Sequence, residues 1–326
     1  MKRDPVAAAL QSLGNAAKHP ADAATLTLIH GSLTHRSNHV VGRAARAVRE
    51  AGLSALAPEL IAAFPRFLDD AVRRDPGCVA KTQIVHALLA FEYPAPDVYL
   101  RGVVHLQPEP AFGPPIDTAT ELRSLSAMAL VVTEHPAALT ACVGLLVDRE
   151  PVTRAGGLRA LVASGRPDVA LVLRLVALRG DDDPGVLAEA FAGLLALTAG
   201  EAASFVVERL AAADRDIARA AAIALGESRR PEATGALRER LAAEDRPDVR
   251  HAIVLGLATA RDETAVAALL ELIAAGSAAD SRAALEALAL YAHDDELQRR
   301  GQAALAARRP APARGGPARR GRAAGR

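Results

Sequence analysis

The sequence predicts an all-α fold, a right-handed α-solenoid of about eight helical hairpins. First, a phrase recurs from residue 150 onward at intervals of 34, 31, 32 and 32 residues, a period typical of stacked helical repeats. Second, apolar residues within each copy recur three and four positions apart, as on one face of a helix. Third, hydrophobic residues make up 51% of the chain and aromatic residues only 3%, so Ala, Leu and Val supply the core, which favours closely packed helices.

The repeats are predicted to span residues 36–307, and residues 1–35 are predicted to cap them with helices over 5–17 and 21–33. An equivalent apolar or small residue, the anchor, lies near the start of the first helix of each copy. In the clear copies the anchors are Val152, Val186, Ile217, Val249 and Ser281, and in weaker upstream copies they are Val40, Val79 and Leu122. One hairpin of this length cannot bury its apolar face alone, so stacked copies are expected to share a core.

Proline, aspartate and glycine mark the predicted ends of the helices. Proline recurs where a first helical turn should lie, at Pro136, Pro151, Pro167, Pro184, Pro231 and Pro247. Asp183 is expected to cap the helix that starts at Pro184. Four glycines fall at or near predicted helix ends, where a left-handed residue is favoured: Gly165, Gly180, Gly200 and Gly226.

Residues 91–121, called the insertion below, interrupt the repeats and hold four of the nine Phe and Tyr residues and six of the twenty prolines. Two interpretations remain open: a binding loop anchored by Tyr99 and Phe112, or an irregular repeat that packs its own aromatic rings against the solenoid. The candidate binding residues lie in the insertion and on adjoining helices: Lys81, His86, Tyr99, His105, Gln107, Glu109, Phe112, Asp117 and Arg123.

Several of these candidates have a structural alternative. A buried Lys81 would be a nucleophile or an anion site, but a lysine lying along the surface is the favoured interpretation. Asp117 and Thr118 are expected to cap the following helix. An acid–base pair of His105 and Glu109 would need a helix, and the prolines on either side of Glu109 disfavour one.

The sequence indicates no cofactor, no metal site and no catalytic residues, so enzymatic activity is disfavoured. His35 and His39 have a metal-like spacing but lack a third ligand nearby. Cys78 and Cys142 fit neither a disulfide framework nor a metal spacing, and they are predicted to be small buried residues.

The formal net charge of +1 conceals an uneven distribution. Nine Arg and no acidic residue follow from Arg299 onward; removing these nine from the 39 basic residues leaves 30, against 38 acidic residues, so the first 298 residues carry a formal charge of −8. Nucleic-acid binding is therefore expected only through the basic tail, residues 308–326, which is predicted to be disordered. The apolar run near residue 6 is too short for the core of a signal peptide, and no run of 18 apolar residues occurs, so a cytoplasmic protein without membrane contact is expected.

The repeated phrase resembles the HEAT repeat, in the short bacterial form also found in bilin lyase subunits. The best copy carries Asp245, Val249, Arg250, Ala252 and Leu255-Gly256. The resemblance covers about residues 36–307 and implies a solenoid whose concave side is lined by the helices that begin at the Val-Arg positions. It also implies that the recurrent Asp and Arg bond to each other between repeats. The middle of the chain is similar to a group of bacterial HEAT-repeat proteins.

We predict a non-catalytic scaffold or adaptor that binds a protein partner through its concave face and the insertion. One alternative is a nucleic-acid-binding protein aided by the Arg-rich tail, as in HEAT-like DNA glycosylases, but the acidic body and the absence of Trp disfavour it. Another, implied by repeat similarity alone, is an accessory enzyme like the bilin lyases. HEAT-type iron hydroxylases would need His-Glu dyads in successive repeats, and here Glu134-His135 is reversed and isolated.

Overall fold

The computed structural model describes residues 5–16 and 23–308 and divides into two compact units, residues 1–198 and 199–326. Helices account for nearly all of the regular structure in the described ranges, which confirms the all-α prediction. The tail was predicted to be disordered, and its residues 309–326 lie outside the described residues.

The first unit contains all of the irregular structure around the insertion. Its helices are α1 (Pro5–Ala16), α2 (Ala23–Leu33), α3 (Asn38–Glu50), α4 (Ala57–Ala63), α5 (Ala71–Arg74), α6 (Val79–Ala90), α7 (Pro96–Gly102), α8 (Thr120–Val132), α9 (Ala138–Leu145), α10 (Pro151–Ala163), α11 (Val169–Arg179) and α12 (Pro184–Leu197). Short 3-10 turns cover Ser54–Leu56, Phe64–Phe67 and Pro76–Cys78. A two-stranded hairpin lies between α7 and α8, formed by β1 (Pro108–Ala111) and β2 (Gly113–Asp117).

The second unit is more regular. Its helices are α13 (Ala199–Arg209), α14 (Arg215–Glu227), α15 (Pro231–Ala243), α16 (Pro247–Ala260), α17 (Glu263–Ala275), α18 (Ala278–Leu288) and α19 (Asp295–Ala306). A 3-10 turn at Ala289–Tyr291 precedes α19.

Every predicted anchor falls within the first four residues of a helix, and these helices stack in order within each unit. In the first unit α3 packs on α6, α6 on α8, α8 on α10 and α10 on α12. In the second unit α14 packs on α16 and α16 on α18. The second helix of each hairpin covers this stack, as α9 does on α8 and α10, and α17 does on α16 and α18. This packing order confirms the helical-hairpin repeat in both units.

Most of the predicted helix ends are confirmed. Four prolines are the first residues of helices: Pro151, Pro184, Pro231 and Pro247. Pro136 and Pro167 instead lie two residues before α9 and α11. Asp183 caps α12 by accepting hydrogen bonds from the N–H groups of Gly185 and Val186. Gly165 and Gly180 have positive φ values of 65° and 81°, as helix ends favour.

Gly226 does not end a helix in a left-handed conformation, contrary to the expectation from the sequence. It lies inside α14, where a Cβ atom would collide with the carbonyl oxygen of Gly256 on α16. A Cβ atom on Gly256 would in turn collide with the carbonyl oxygen of Ala222. The two helices therefore approach backbone to backbone, which only glycine permits at these positions.

Candidate functional site

The insertion folds into helix α7 followed by the β1–β2 hairpin, whose strands run antiparallel. Gly113 has a φ of 144°, which L side chains rarely adopt, so the turn after Phe112 depends on glycine at this position. Four prolines remove N–H donors from both strands and so hinder the addition of a further strand: Pro108, Pro110, Pro114 and Pro115. The hairpin is therefore suited to presenting side chains and poorly suited to extending a sheet.

Lys81, in the first turn of α6, is completely buried. Its Nζ lies 2.9 Å from Oδ2 of Asp75, also fully buried, and donates a 3.0 Å hydrogen bond to the Phe67 carbonyl. Asp75 accepts further hydrogen bonds from the Asn38 side chain and from the N–H groups of Ala80 and Lys81. The surface position expected for Lys81 is therefore wrong, because Asp75 supplies the partner that a buried ammonium requires.

Gln107 joins this ion pair to the insertion. Its buried side chain donates hydrogen bonds of 2.7 Å from Nε2 to the Asp75 carbonyl and to Oε1 of Glu109. Its Oε1 lies 3.2 Å from Nε2 of His105, and burial lowers the pKa of His105. His105 thus faces an amide, and the acid–base pair with Glu109 does not form.

Glu109 fastens β1 to the loop before α6. Its Oε1 accepts a 2.7 Å hydrogen bond from the N–H of Gly77 and a 2.8 Å hydrogen bond from the Thr118 hydroxyl. Burial would raise the pKa of Glu109, but the hydrogen bonds from Thr118, Gln107 and Gly77, together with the charge of Lys81, hold that pKa below its usual range. The carboxylate is thus a tether between two segments.

Arg123 connects the insertion to the next repeat. Its Nη1 lies 2.7 Å from Oδ2 of Asp117 and donates a 2.9 Å hydrogen bond to the His105 carbonyl. On its other side, Nε lies 2.9 Å from Oδ2 of Asp148, and Nη2 donates a 3.3 Å hydrogen bond to the Thr153 hydroxyl. Arg123 is 1% exposed, so this guanidinium is a structural tie within the unit.

Asp117 binds Arg123 instead of capping α8. Its Oδ1 accepts the N–H groups of Gln107 and Ala119, each at 3.0 Å, and no side chain caps the helix. Burial would raise the pKa of Asp117, but these two N–H groups and the guanidinium of Arg123 outweigh it and lower that pKa. The hydroxyl of Thr118 likewise bonds within the insertion, so the predicted caps are wrong. We call these linked residues the insertion network: Asp75, Lys81, Gln107, Glu109, Asp117 and Arg123.

The other three candidates differ in exposure. Tyr99 is fully buried, its hydroxyl donates a 2.6 Å hydrogen bond to the Tyr93 carbonyl, and burial raises its pKa. It therefore packs inside the unit and cannot be a surface anchor. His86 is partly exposed, and its Nε2 lies 3.0 Å from Glu121, whose pKa this contact lowers. Phe112 is fully exposed at the hairpin turn.

Four apolar side chains of the insertion are exposed. Val104, Leu106 and Ile116 are 73%, 65% and 60% exposed, and the ring of Phe112 is fully exposed. Val104 and Leu106 line a groove of about 490 Å³ whose opposite wall is α9, where Gly144 leaves open space. Sequence reasoning missed the three aliphatic residues because it chose polar and aromatic ones. Their exposure could have been suspected because they lie in a proline-rich stretch and do not follow the spacing of a helix face.

One contact recurs three times, each time within a single unit. The fourth residue of a first helix is an arginine that binds an aspartate at or just before the next first helix: Arg123 with Asp148, Arg154 with Asp181, and Arg250 with Asp280. We call these contacts arginine bridges. Arg250 also donates 2.6 Å hydrogen bonds to the Leu241 and Glu244 carbonyls. The bonding between repeats that the resemblance implied is confirmed at these three positions.

The thiols and histidines offer little reactive chemistry. Burial raises the pKa of Cys78 and of Cys142 to about 11, so both thiols stay protonated at neutral pH. In the described ranges, no group of three or more His, Cys, Asp or Glu residues is placed to hold a metal ion. His35 Nδ1 accepts a 3.0 Å hydrogen bond from the N–H of Ser37.

Residues 203–289, which run from α13 to the end of α18, match a family model of HEAT repeats. This segment of the chain consists of HEAT repeats. The arginine bridges of Arg123 and Arg154 show the same contact in the HEAT-like helices of the first unit. No curated protein sequence matches the chain significantly. None of the helices in the described part of the chain is long and apolar enough to cross a bilayer.

Three solved structures are similar to this chain. The first is the complex of CpcE and CpcF of phycocyanin lyase from Nostoc sp. PCC7120, with 20% sequence identity and a TM-score of 0.43. The alignment covers 74% of this chain and 91% of the matched chain. Human deoxyhypusine hydroxylase in complex with glycerol has 15% identity and a TM-score of 0.29, and the alignment covers 90% of this chain and 92% of the hydroxylase chain. An engineered protein has 18% identity, coverage of 92% and 94%, and a TM-score of 0.38. None of these likenesses assigns an activity to the chain.

Proposed function

We propose that this chain is a non-catalytic HEAT-repeat scaffold that binds a partner protein through the exposed apolar side chains of the insertion. The observation that carries the proposal is a contrast in exposure within the insertion. Its polar side chains are tied into the insertion network, whereas Leu106, Phe112 and Ile116 lie in solvent. A loop held in this way loses little conformational entropy when a partner binds, and exposed apolar clusters are typical of interaction surfaces.

The groove beside the insertion supports one class of partner. Leu100, Val104 and Leu106 form an apolar wall facing α9. Arg101 and Arg149 adjoin groove residues in the chain, both are exposed, and neither has an ion-pair partner within the described ranges. A partner that presents an amphipathic helix, with apolar residues toward the groove and acidic residues beside them, fits this combination of shape and charge.

Affinity capture with three forms of the full chain tests the proposal. The insertion variant carries Leu106→Ser, Phe112→Ser and Ile116→Ser, and the control variant carries the same change at three exposed leucines of α11: Leu171, Leu175 and Leu178. We expect the wild type and the control to retain the same partner and the insertion variant to lose it. With the purified partner, calorimetry should show binding weakened at least about 100-fold by the insertion variant, as for the loss of a hot spot.

A second variant blocks the groove without removing any contact of the fold. A Cβ atom at Gly144 in α9 would meet nothing within 4 Å, so Gly144→Leu should fill the groove while improving helix propensity. We expect loss of the partner with unchanged or higher stability in urea. Equal partner binding by the wild type, the insertion variant and Gly144→Leu would show the proposal to be wrong. Loss of the partner by the α11 variant alone would also refute it and would assign the binding surface to α11.

A further inference from the structure

A second cleft in the first unit is basic, although the first 298 residues as a whole are acidic. It lies between the start of α3 and the segment around α5 and has a volume of about 820 Å³. Its charged and titratable lining residues are Arg36, Arg66, Arg73, Arg74, Asp70, His35 and His39. Four arginines against one aspartate leave a formal charge of +3 when the histidines are neutral. We call this feature the basic cleft.

One of the four arginines builds the wall of the basic cleft. Nη2 of Arg66 donates hydrogen bonds of 3.0 Å and 3.3 Å to the carbonyls of Leu33 and His35, and its guanidinium lies 5.4 Å from the centre of the Phe67 ring. Arg66 thereby holds the chain entering α3 against the 3-10 turn at Phe64–Phe67. Arg66 is thus held in place by bonds within the protein.

The other three arginines have few acceptors within the protein. Arg36 is exposed and has no hydrogen bond or ion pair to any described residue. Arg74 donates only a long bond of 3.5 Å to the Arg66 carbonyl. Arg73 lies 3.6 Å from Asp70, and its side chain is 86% exposed. Three guanidinium groups converge on one cleft without a compensating set of carboxylates, in contrast to the paired arginines of the arginine bridges.

The start of α3 adds to the positive potential of the basic cleft. Ser37, the residue before the helix, makes no side-chain capping hydrogen bond, and the first turn of α3 contains no acidic residue. Ser37, Asn38 and His39 all line the cleft. The positive end of the helix dipole therefore reinforces the arginines, and a cleft concentrates such a field.

We propose that the basic cleft binds a small anion bearing phosphate groups, held by the guanidinium groups of Arg36, Arg73 and Arg74. Arginine presents its N–H groups in a planar fork that matches phosphate oxygens in pairs, so three such groups suit a ligand with more than one phosphate. The basic cleft is a local feature on an acidic body, which favours a compact anion over a long nucleic-acid strand.

Calorimetric titration of the full chain with sodium pyrophosphate tests this assignment. The cleft variant is Arg36→Gln, Arg73→Gln and Arg74→Gln. The control variant removes the same number of charges elsewhere, by Arg46→Gln, Arg238→Gln and Arg282→Gln, all exposed residues outside the cleft. We expect one site per chain in the wild type and in the control, and affinity at least tenfold weaker in the cleft variant. The unchanged circular dichroism spectrum of each variant is the folding check, because the substituted side chains lie at the surface.

Two further ligands identify the source of the phosphate. Competition between a nucleoside diphosphate and pyrophosphate would show that the cleft accepts the phosphate groups of a nucleotide. Sodium sulfate at equal ionic strength is the control for a general effect of salt. Absence of heat with wild-type chain, or equal weakening in the control and cleft variants, would overturn the proposal. Tighter binding of a short single-stranded DNA than of pyrophosphate, with loss in the cleft variant, would also overturn it in favour of a nucleic-acid site.

Discussion

The seam closed by Arg250 and the seam at the insertion solve the same packing problem by different means. In the regular repeat, one guanidinium binds both carboxylate oxygens of Asp280 and the carbonyls of Leu241 and Glu244. At the insertion, Lys81 in the first turn of α6 has a single ammonium group, which contacts Asp75 and the Phe67 carbonyl. An ammonium lacks the planar fork with which Arg250 holds two carboxylate oxygens at once.

The remaining bonds at the insertion come from other side chains. Gln107 continues from the Asp75 carbonyl to Glu109, and Arg123 continues from Asp117 to Asp148. In this regular repeat one side chain makes the bonds across the seam, whereas several side chains share them at the insertion. The polar side chains of the insertion are therefore occupied by structural bonds, which leaves its exposed apolar side chains available to a partner.

The largest expected effect is at the buried end of the insertion network. Asp75→Ala should lower the free energy of unfolding by about 3–5 kcal/mol, because it leaves the ammonium of Lys81 buried without its counter-ion. Lys81→Met should cost less, because Asp75 keeps its donors from Asn38 and the α6 backbone. Urea unfolding measures both, and Asp69→Ala, at an exposed aspartate, is the matched control. Equal costs for Asp75→Ala and Asp69→Ala would contradict the importance of the buried ion pair.

An intermediate effect is expected in the regular seam. Arg250→Met should cost about 1.5–3 kcal/mol, the range for hydrogen bonds that involve charged groups. Hydrogen exchange should speed up at α16 and α18, the two helices that this side chain joins. Arg282→Met, at an exposed position on α18, should change neither quantity. An unchanged exchange pattern in Arg250→Met would mean that apolar packing alone closes the seam.

The smallest effect concerns acid pH. Glu109 has a pKa held below its usual value of 4.5, so its contribution is fully present at neutral pH and is lost as the pH falls from about 5 through the lowered folded-state pKa. Glu109→Gln should cost less than about 1 kcal/mol at pH 7 and should flatten the decline in urea midpoint below pH 5. The same kind of substitution at a regular seam, Asp280→Asn, should also flatten the decline. Burial would raise the pKa of Asp280, but its bonds to Arg250 and Ser277 outweigh burial and lower that pKa. A decline with unchanged slope in Glu109→Gln would assign the acid sensitivity to other carboxylates.

The regular repeats follow the sequence pattern more closely than the insertion does. The anchors and the prolines that open helices were predictable, because each depends on a pattern repeated within about 30 residues. The bonds between repeats were implied only by the resemblance to HEAT repeats, and Arg123 was expected to be a binding residue. The insertion was recognised by its composition, but the roles of its residues were misjudged. Tyr99 is buried and Lys81 is buried, whereas the aliphatic residues that reach solvent had no distinguishing pattern.

The amino-acid sequence by itself determined the helices and their period, since helix propensity, capping and apolar spacing act over short distances along the chain. Only the tertiary structure decided which side chains of the insertion are buried, which arginines bridge successive repeats and where arginines with few carboxylate partners converge. Those outcomes depend on pairs such as Gln107 with Asp75 and Glu109 with Gly77, 32 residues apart in each case. No local pattern specifies such pairs, because burial of a polar group is stable only when a distant segment supplies its partner.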